Sequence, residues 1–385
     1  MKRPLTTLAA VALLAAGCTG LFVGPDADLD RVAVFEHVWR DLDRHYSLFV
    51  VKRVDWDSLH DVYAPQAARA TTDADLVEVI GAMLLELRDI HVGLSAGRRF
   101  ICYCVRADGR PAFFDSALVR TEYVSDLQTA PRGLMQFGHA ALDVGYVRIP
   151  SFRDSGFGAD LDAALRHLGG VSALIVDVRN NSGGDYRNGV DVAARFTDRE
   201  RVYGSVQYRD GPRHDDFTSR ESQTVSPDGA RRFVGPVAVL TNRRSVSAAE
   251  RFVMAMRVLP TVVVVGDSTA GGASNLLPRE LPNGWTYSLS MSIWYTPDGR
   301  SYEEIGLEPD VWVRGSAEAL AAGRDAVLDT AIAIIARRNA SELPWHRTVV
   351  GDVLQGGTPG SLSREDSGSR WTDQLTGNAL GFAAP

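Results

Sequence analysis

From Leu29 to His91 the apolar residues recur at intervals of three and four. Val32, Phe35, Val38, Trp39 and Leu42 form one set, Trp56, Leu59, Val62 and Tyr63 a second, and Leu76, Val79, Ile80, Met83, Leu84 and Leu87 a third. That spacing puts each set on one face of a helix and predicts a three-helix domain over residues 29–91. Asp55, and Thr72 or Asp73, stand where the N-caps of the second and third helices belong. Over residues 92–142 short apolar runs alternate with Gly, Pro and Asp, which predicts short strands and loops. From 143 to 338 strand-like and helical runs take turns. Gly145–Ile149, Ala173–Val178, Pro236–Leu240 and Thr261–Val265 read as strands, and Leu161–Leu168, Gly189–Phe196 and Ser247–Val258 as helices. Trp285–Tyr295 reads as a further strand or hairpin and Ser316–Arg338 as an alanine-rich closing helix. Such alternation predicts an α/β core around a mostly parallel sheet. Residues 339–385, rich in Gly, Ser and Thr, are expected to form a mobile tail.

Composition narrows the chemistry. The 385 residues are 45% hydrophobic with a formal net charge of −7, which gives no cationic surplus for nucleic acid. Lys2 and Arg3, the apolar run Leu5–Ala16 and the small residues Ala15-Ala16-Gly17 predict an export signal over 1–17. The run is too short to span a bilayer. Cys18, directly after it, resembles the acylated cysteine of bacterial lipoproteins, with Ala15 where a leucine is usual. Residues 18–28 are therefore expected to be a lipidated linker, the protein's one membrane contact, holding it at the cell envelope facing the periplasm or the outside. Cys102 and Cys104, two apart on a predicted strand, read as two small side chains rather than a disulfide or a zinc pair.

The segment Asn242-Arg-Arg-Ser-Val-Ser-Ala-Ala-Glu250 carries the strongest chemical signal. It joins an apolar strand to a helix, where a hydroxyl can be exposed beside helix-end amides. Ser247 is the candidate nucleophile, although Ser247-Ala-Ala-Glu250 also fits a capping box, which explains a serine without chemistry. Only two lysines exist in the chain, Lys2 and Lys52, so a histidine is the expected base. His91, at the exit of the helical domain, can supply it. Asp177-Val-Arg-Asn-Asn-Ser-Gly183-Gly184 follows a buried strand, with glycines that let backbone N–H groups approach a ligand. Tyr302-Glu303-Glu304 offers carboxylates that can orient an imidazole.

These segments, with Gly145–Phe152, Val264–Gly272, Tyr295–Asp310 and Val54-Asp55-Trp56-Asp57, resemble the C-terminal processing and tricorn-core serine peptidases, family S41. In the processing branch a lysine stands where this chain has Gly272. The tricorn-like branch uses a histidine ahead of the core, the pattern found here. That branch has a serine before the histidine, whereas this chain has Ile90. The resemblance implies Ser247 as nucleophile, His91 as general base and Glu303 as the orienting carboxylate, with Glu304 the adjacent alternative. It implies an oxyanion hole from the N–H of Ala248 and of Gly183 or Gly184, and no metal or organic cofactor. It further implies a crotonase/ClpP-like core of ββα units, with a substrate peptide along a strand edge. About fifty residues between Val92 and Asp143 leave little room for a PDZ module.

The expected function is thus an exported serine peptidase acting on peptides or proteins. The alternative is a catalytically silent relative that binds peptides or apolar ligands, since the fold family also includes retinoid carriers. A hydrolase of a non-peptide ester or amide is a third possibility.

Overall fold

The computed structural model describes residues 30–104 and 112–339. The expected export signal, the expected lipidated linker with Cys18, and the residues of the expected tail from 340 onward lie outside them.

The periodic front of the chain forms α1 (Arg31–His45), a single turn α2 (Phe49–Lys52), α3 (Trp56–Arg69) and α4 (Asp73–Leu85). Asp55 caps α3 by accepting the Ser58 N–H, and Thr72 caps α4 in a reciprocal box with Asp75. The extra turn α2 follows from Tyr46-Ser47-Leu48-Phe49, whose side chains are all buried. Trp39 and Trp56 lie parallel and offset, with centroids 6.4 Å apart, each indole N–H donating to the other's carbonyl at 3.3 and 3.1 Å. This locks α1 to the start of α3.

The strands are β1 (Gly93–Ala96), β2 (Arg99–Cys102), β3 (Gln128–Thr129), β4 (Gln136–Ala140), β5 (Val144–Arg148), β6 (Ala173–Asp177), β7 (Arg201–Tyr208), β8 (Glu221–Val225), β9 (Val237–Thr241), β10 (Val262–Gly266), β11 (Leu276–Glu280), β12 (Thr286–Ser290), β13 (Ser292–Tyr295) and β14 (Val311–Trp312). A three-residue α5 (Ser116–Leu118) runs into a π-helical turn, and α6 (Phe157–His167), α7 (Tyr186–Ala193), α8 (Ala248–Arg257), α9 (Ala317–Ala321) and α10 (Ala326–Asn339) complete the helices.

The central sheet has the order β14-β10-β9-β6-β5-β4-β3, parallel from β14 to β5 and antiparallel beyond. Strands β6, β9 and β10 are buried along their whole length, the environment that continuous Val/Leu/Ile runs demand. Helices α6, α7 and α8 share one apolar core with this sheet. The fold is thus α/β with a helical N-terminal region.

Three expectations change. Trp285–Tyr295 is neither one strand nor a hairpin. The chain passes at Met291 from β12, in the antiparallel sheet β11-β12-β1-β2, into β13, in the sheet β13-β7-β8. The closing helix is broken: Gly323 takes φ 75° and Asp325 accepts the N–H groups of Val327 and Leu328, starting a second helix. Cys102 and Cys104 form a disulfide, because β2 ends at Cys102 and the chain turns, leaving their Cα atoms 5.2 Å apart.

The crossover at Met291 joins the helical front to the α/β core. Ser47 Oγ donates toward the carbonyls of Ser290 (3.1 Å) and Ser292 (3.0 Å), and Leu281, Tyr287, Leu289 and Ile293 sit in the core of the helices. His91 leaves the front domain at this seam.

Candidate active site

Two turns at the carboxyl ends of neighbouring parallel strands build the site. After β6, Arg179 is fully buried with its guanidinium forked onto Asp177 (2.6 Å) and Asp325 (2.7 Å). This anchors the turn to α10. Asn181 then spans two segments: its Nδ2 donates to the Ile149 carbonyl and its Oδ1 accepts the Gly183 N–H, each at 2.9 Å. After β9, Asn242 accepts the Asn180 N–H (3.0 Å) and donates to the Asn180 side chain (2.9 Å), while Ser245 Oγ donates to the Val178 carbonyl (2.8 Å). The Asn and Ser residues of both motifs thus clamp the Gly-Gly turn to the Ser247 turn.

Ser247 has φ 60° and ψ −115°. A residue that merely caps a helix rests in the extended region at no cost. A non-glycine residue here is strained, and the conformation is that of a strand-to-helix nucleophile elbow. The Glu250 carboxylate reaches back to the Ser247 N–H as in a capping box, while the Ser247 side chain makes no cap hydrogen bond, so helix capping and exposure of the hydroxyl coexist. The Ala248 N–H, at the start of α8, and the Gly184 N–H donate to no other described residue. Gly183 is different, since its N–H is taken by Asn181. A Cβ at Gly183 would lie 3.3 Å from Ser247 Oγ, and one at Gly184 would collide with the backbone of Phe152.

Glu250 does more than the sequence signals. Its Oε2 accepts the N–H groups of Ser247 (3.1 Å) and Gly272 (2.8 Å), and its Oε1 accepts the Thr269 hydroxyl (2.6 Å) and the Gly271 N–H (2.9 Å). Burial raises its pKa, and these four donors oppose that shift.

His91 lines the same cleft as Ser247, a cavity of about 710 Å³ that Gly184, Ala270 and Ile90 also border. Arg88 turns the chain out of α4 with φ 46°. The turn is fixed from below by Asp89, which accepts the His91 N–H at 2.8 Å and the Tyr46 hydroxyl at 2.9 Å. Burial works against ionisation of Asp89, yet Lys52 and His91 hold its pKa below the usual value. Lys52 is buried beneath the turn, donating to the carbonyls of Leu87 (3.3 Å) and Arg88 (3.0 Å), with Nζ 4.0 Å from Asp89. Engaged with these groups and outside the lining of the Ser247 cleft, Lys52 is a support of the turn rather than a base. Burial pushes the His91 imidazole down to about 4, against the pull of Asp89. His91 Nδ1 is buried and has no partner among the described residues.

Glu303 and Glu304 separate clearly. Glu304 is partly exposed and paired with Arg88 at 2.8 Å. Glu303 is buried: its Oε1 accepts the Ala273 N–H at 3.0 Å, and its Oε2 has no hydrogen-bond partner among the described residues. Burial, then the Asp89 charge, lifts it to about 8, with Lys52 opposing. The Gly272–Ala273 pair joins the two groups, since a Cβ on Gly272 would lie 3.7 Å from His91 Cε1. The sequence pointed to Ser247, His91, Ala248, Gly183 or Gly184, and Glu303 or Glu304. It gave no weight to Glu250 as a bridge or to Lys52 as a prop, because both roles rest on contacts between distant segments.

A model of peptidase family S41 matches residues 143–313, and a model of the tricorn protease C1 domain matches residues 28–85. A protein of Parabacteroides merdae, solved as a candidate peptidase, is 33% identical with a TM-score of 0.74, covering 80% of this chain and 98% of its own. Mature CPAF shares the fold, with a TM-score of 0.63 at 12% identity over 82% of this chain and 99% of that one. The carboxy-terminal processing protease CtpA of Bacillus subtilis is 26% identical over 171 residues, 44% of this chain and 34% of CtpA. The chain spans about a third of the length of the curated relatives it matches. With this likeness over nearly the whole Parabacteroides chain, and both family models in their expected order, the protein belongs to peptidase family S41.

Proposed function

We propose that the protein is a serine peptidase in which Ser247 attacks the scissile carbonyl and His91 takes its proton. The observation that carries this reading is the strained Ser247 backbone in a cleft shared with His91. A neutral imidazole accepts the Oγ proton as the bond to carbon forms, then returns it to the leaving amine. The N–H groups of Ala248 and Gly184 receive the developing oxyanion, each such donor lowering the barrier by about 3 kcal/mol. Gly183, its N–H already engaged, acts by leaving space beside Ser247. Asp89 supplies the ionised carboxylate next to His91. Glu303 is the buried acid whose free oxygen engages His91 Nδ1 in the active state. Incubation of a peptide library with the protein, read by mass spectrometry, tests the activity: cleavage by the wild type and none by Ser247→Ala is expected.

The cleft also suggests what it accepts. Arg153, Arg243 and Arg244 line it, Arg243 lying 3.4 Å from Asp267, and no carboxylate is among the described lining residues. In a chain of net charge −7 this is a local reversal of sign, suited to peptides with acidic residues near the cleaved bond. Export through residues 1–17 and anchoring at Cys18 belong to the same proposal; palmitate labelling lost in Cys18→Ala tests the anchor. The rival, a silent binder of peptides or apolar ligands, draws on Ile90 before the histidine and on the unpartnered His91 Nδ1. Peptide binding without turnover in the wild type would favour it.

A further inference from the structure

Away from the cleft, three donors from distant parts of the sequence meet at one edge of the central sheet. Asp126 lies just before β3, His139 is on β4, and His167 ends α6. Asp126 Oδ2 is 2.9 Å from His139 Nδ1 and 3.0 Å from His167 Nε2, and the three ligand atoms lie within 4.8 Å of one another. The imidazoles, with centroids 5.6 Å apart and planes 48° apart, converge on one carboxylate oxygen. The other oxygen is pinned by the His139 N–H at 2.6 Å, so the carboxylate is already oriented. The Gln128 side-chain amide reaches His167 Nε2 at 2.9 Å. Phe137 packs against the His167 ring, 5.4 Å between centroids.

We propose that Asp126, His139 and His167 form a binding site for a divalent transition-metal ion, Zn²⁺ being the best match. Two imidazole nitrogens and a carboxylate oxygen are the donor set that Zn²⁺ favours over Mg²⁺ or Ca²⁺. With metal–ligand bonds of about 2.0–2.2 Å, tetrahedral donors stand roughly 3.3 Å apart. The two Asp126 contacts therefore have to open by a few tenths of an ångström, while the two imidazole nitrogens, up to 4.8 Å apart, draw together by about 1.5 Å through side-chain rotation. The ion would displace the protons that now lie between the rings and the carboxylate, releasing them to solvent, with a water, or the Gln128 carbonyl oxygen once the amide is flipped, as fourth donor. The His139 N–H bond to Asp126 is the kind of outer contact that holds a ligating carboxylate in place. All three ligands are about two-fifths exposed, leaving the ion an entry path.

The register puts this site away from catalysis. His139 pairs with Gly145, Gly145 with Leu174 and Leu174 with Val237, all at the amino-terminal ends of β6 and β9. Ser247 follows their carboxyl ends. The ion is therefore a clasp, tying the edge strand β3 and its neighbour β4 to α6, and not a cofactor of peptide cleavage. It leaves the metal-free reading of the catalytic site intact.

The test is Zn²⁺ titration of the full chain by isothermal calorimetry, with His139→Ala and His167→Ala beside the wild type and thermal unfolding followed in parallel. One Zn²⁺ per chain is expected, with affinity falling at least tenfold in each variant and with Mg²⁺ giving no heat. Zn²⁺ should raise the unfolding temperature of the wild type but not of either variant. Circular dichroism of the metal-free variants should match the wild type, and peptide cleavage should survive chelation. Absence of stoichiometric binding, or binding unchanged in both variants, would overturn the proposal.

Discussion

Gly272 packs against Ile90 so closely that a Cβ on the glycine would overlap the isoleucine side chain. Gly272 is where the resemblance places a lysine in processing peptidases, and Ile90 precedes the histidine that this chain uses instead. The two designs exclude one another in space: a long side chain at 272 would enter the volume that Ile90 and the edge of His91 occupy. Gly272 has no positive φ, so the constraint is one of packing alone. Gly272→Ala should cost about 1–3 kcal/mol through overpacking and depress activity. Ile90→Ala in that background should recover both, and strictly additive effects in the double-mutant cycle would show that the two residues do not compete for space.

Glu250 holds the Ser247 turn and the Thr269–Gly272 segment with one carboxylate. Glu250→Gln turns one acceptor arm into a donor facing donors. A loss of about 1–3 kcal/mol is expected from the mismatched buried groups, with kcat falling more than KM rises. Denaturant unfolding and steady-state kinetics measure the two effects.

The pH profile follows from His91. The base must be neutral, and burial holds its pKa at about 4. Activity, measured as kcat/KM, should therefore persist at pH 6 and fall only as the pH drops toward that value. An acid limb centred at 6.5 or above would mean that His91 is solvated or is not the base.

Glu303 gives a stability prediction of definite sign. Its folded pKa, raised to about 8 by burial and then Asp89, exceeds the ordinary glutamate value of 4.5. Between these values the folded state keeps a proton that the unfolded chain has lost. The stabilising contribution is complete below pH 4.5 and is lost as pH rises through 8. Glu303→Gln, which cannot ionise, should remove that alkaline decline; equal slopes of unfolding free energy from pH 6 to 9 in wild type and variant would refute the assignment.

The arginines of the cleft predict specificity. Arg153→Glu should lower kcat/KM for a peptide with acidic residues beside the cleaved bond, and much less for a neutral one. Added salt should shrink the difference. Equal effects on both peptides would remove the electrostatic reading while leaving catalysis untouched.

The sequence reveals what is local or periodic. Asp55 is legible as a cap, and Thr72 as one of two candidates beside Asp73, because a cap acts over three residues. The buried runs of β6, β9 and β10 are legible to within a residue because parallel strands are apolar on both faces. The passage at Met291 between two sheets is hidden, since both strands share one pattern and only their partners differ. The break before Asp325 is visible in retrospect as Gly323-Arg324-Asp325, a glycine followed by a capping carboxylate, within an alanine-rich stretch that masks it. In the site, Ser247 and the Gly-Gly turn announce themselves through strand-turn-helix spacing. Glu250 to Gly272, Lys52 to Arg88 and Arg179 to Asp325 are pairings between distant segments, with no trace in composition or period.

The most direct measurement is covalent labelling by a fluorophosphonate probe, with the modified residue mapped by mass spectrometry in wild type, Ser247→Ala and His91→Ala. An activated Ser247 predicts labelling on that residue alone, none in Ser247→Ala, and a strong reduction in a folded His91→Ala. Labelling that persists in Ser247→Ala, or a wild type that never reacts while binding peptides, would contradict the account.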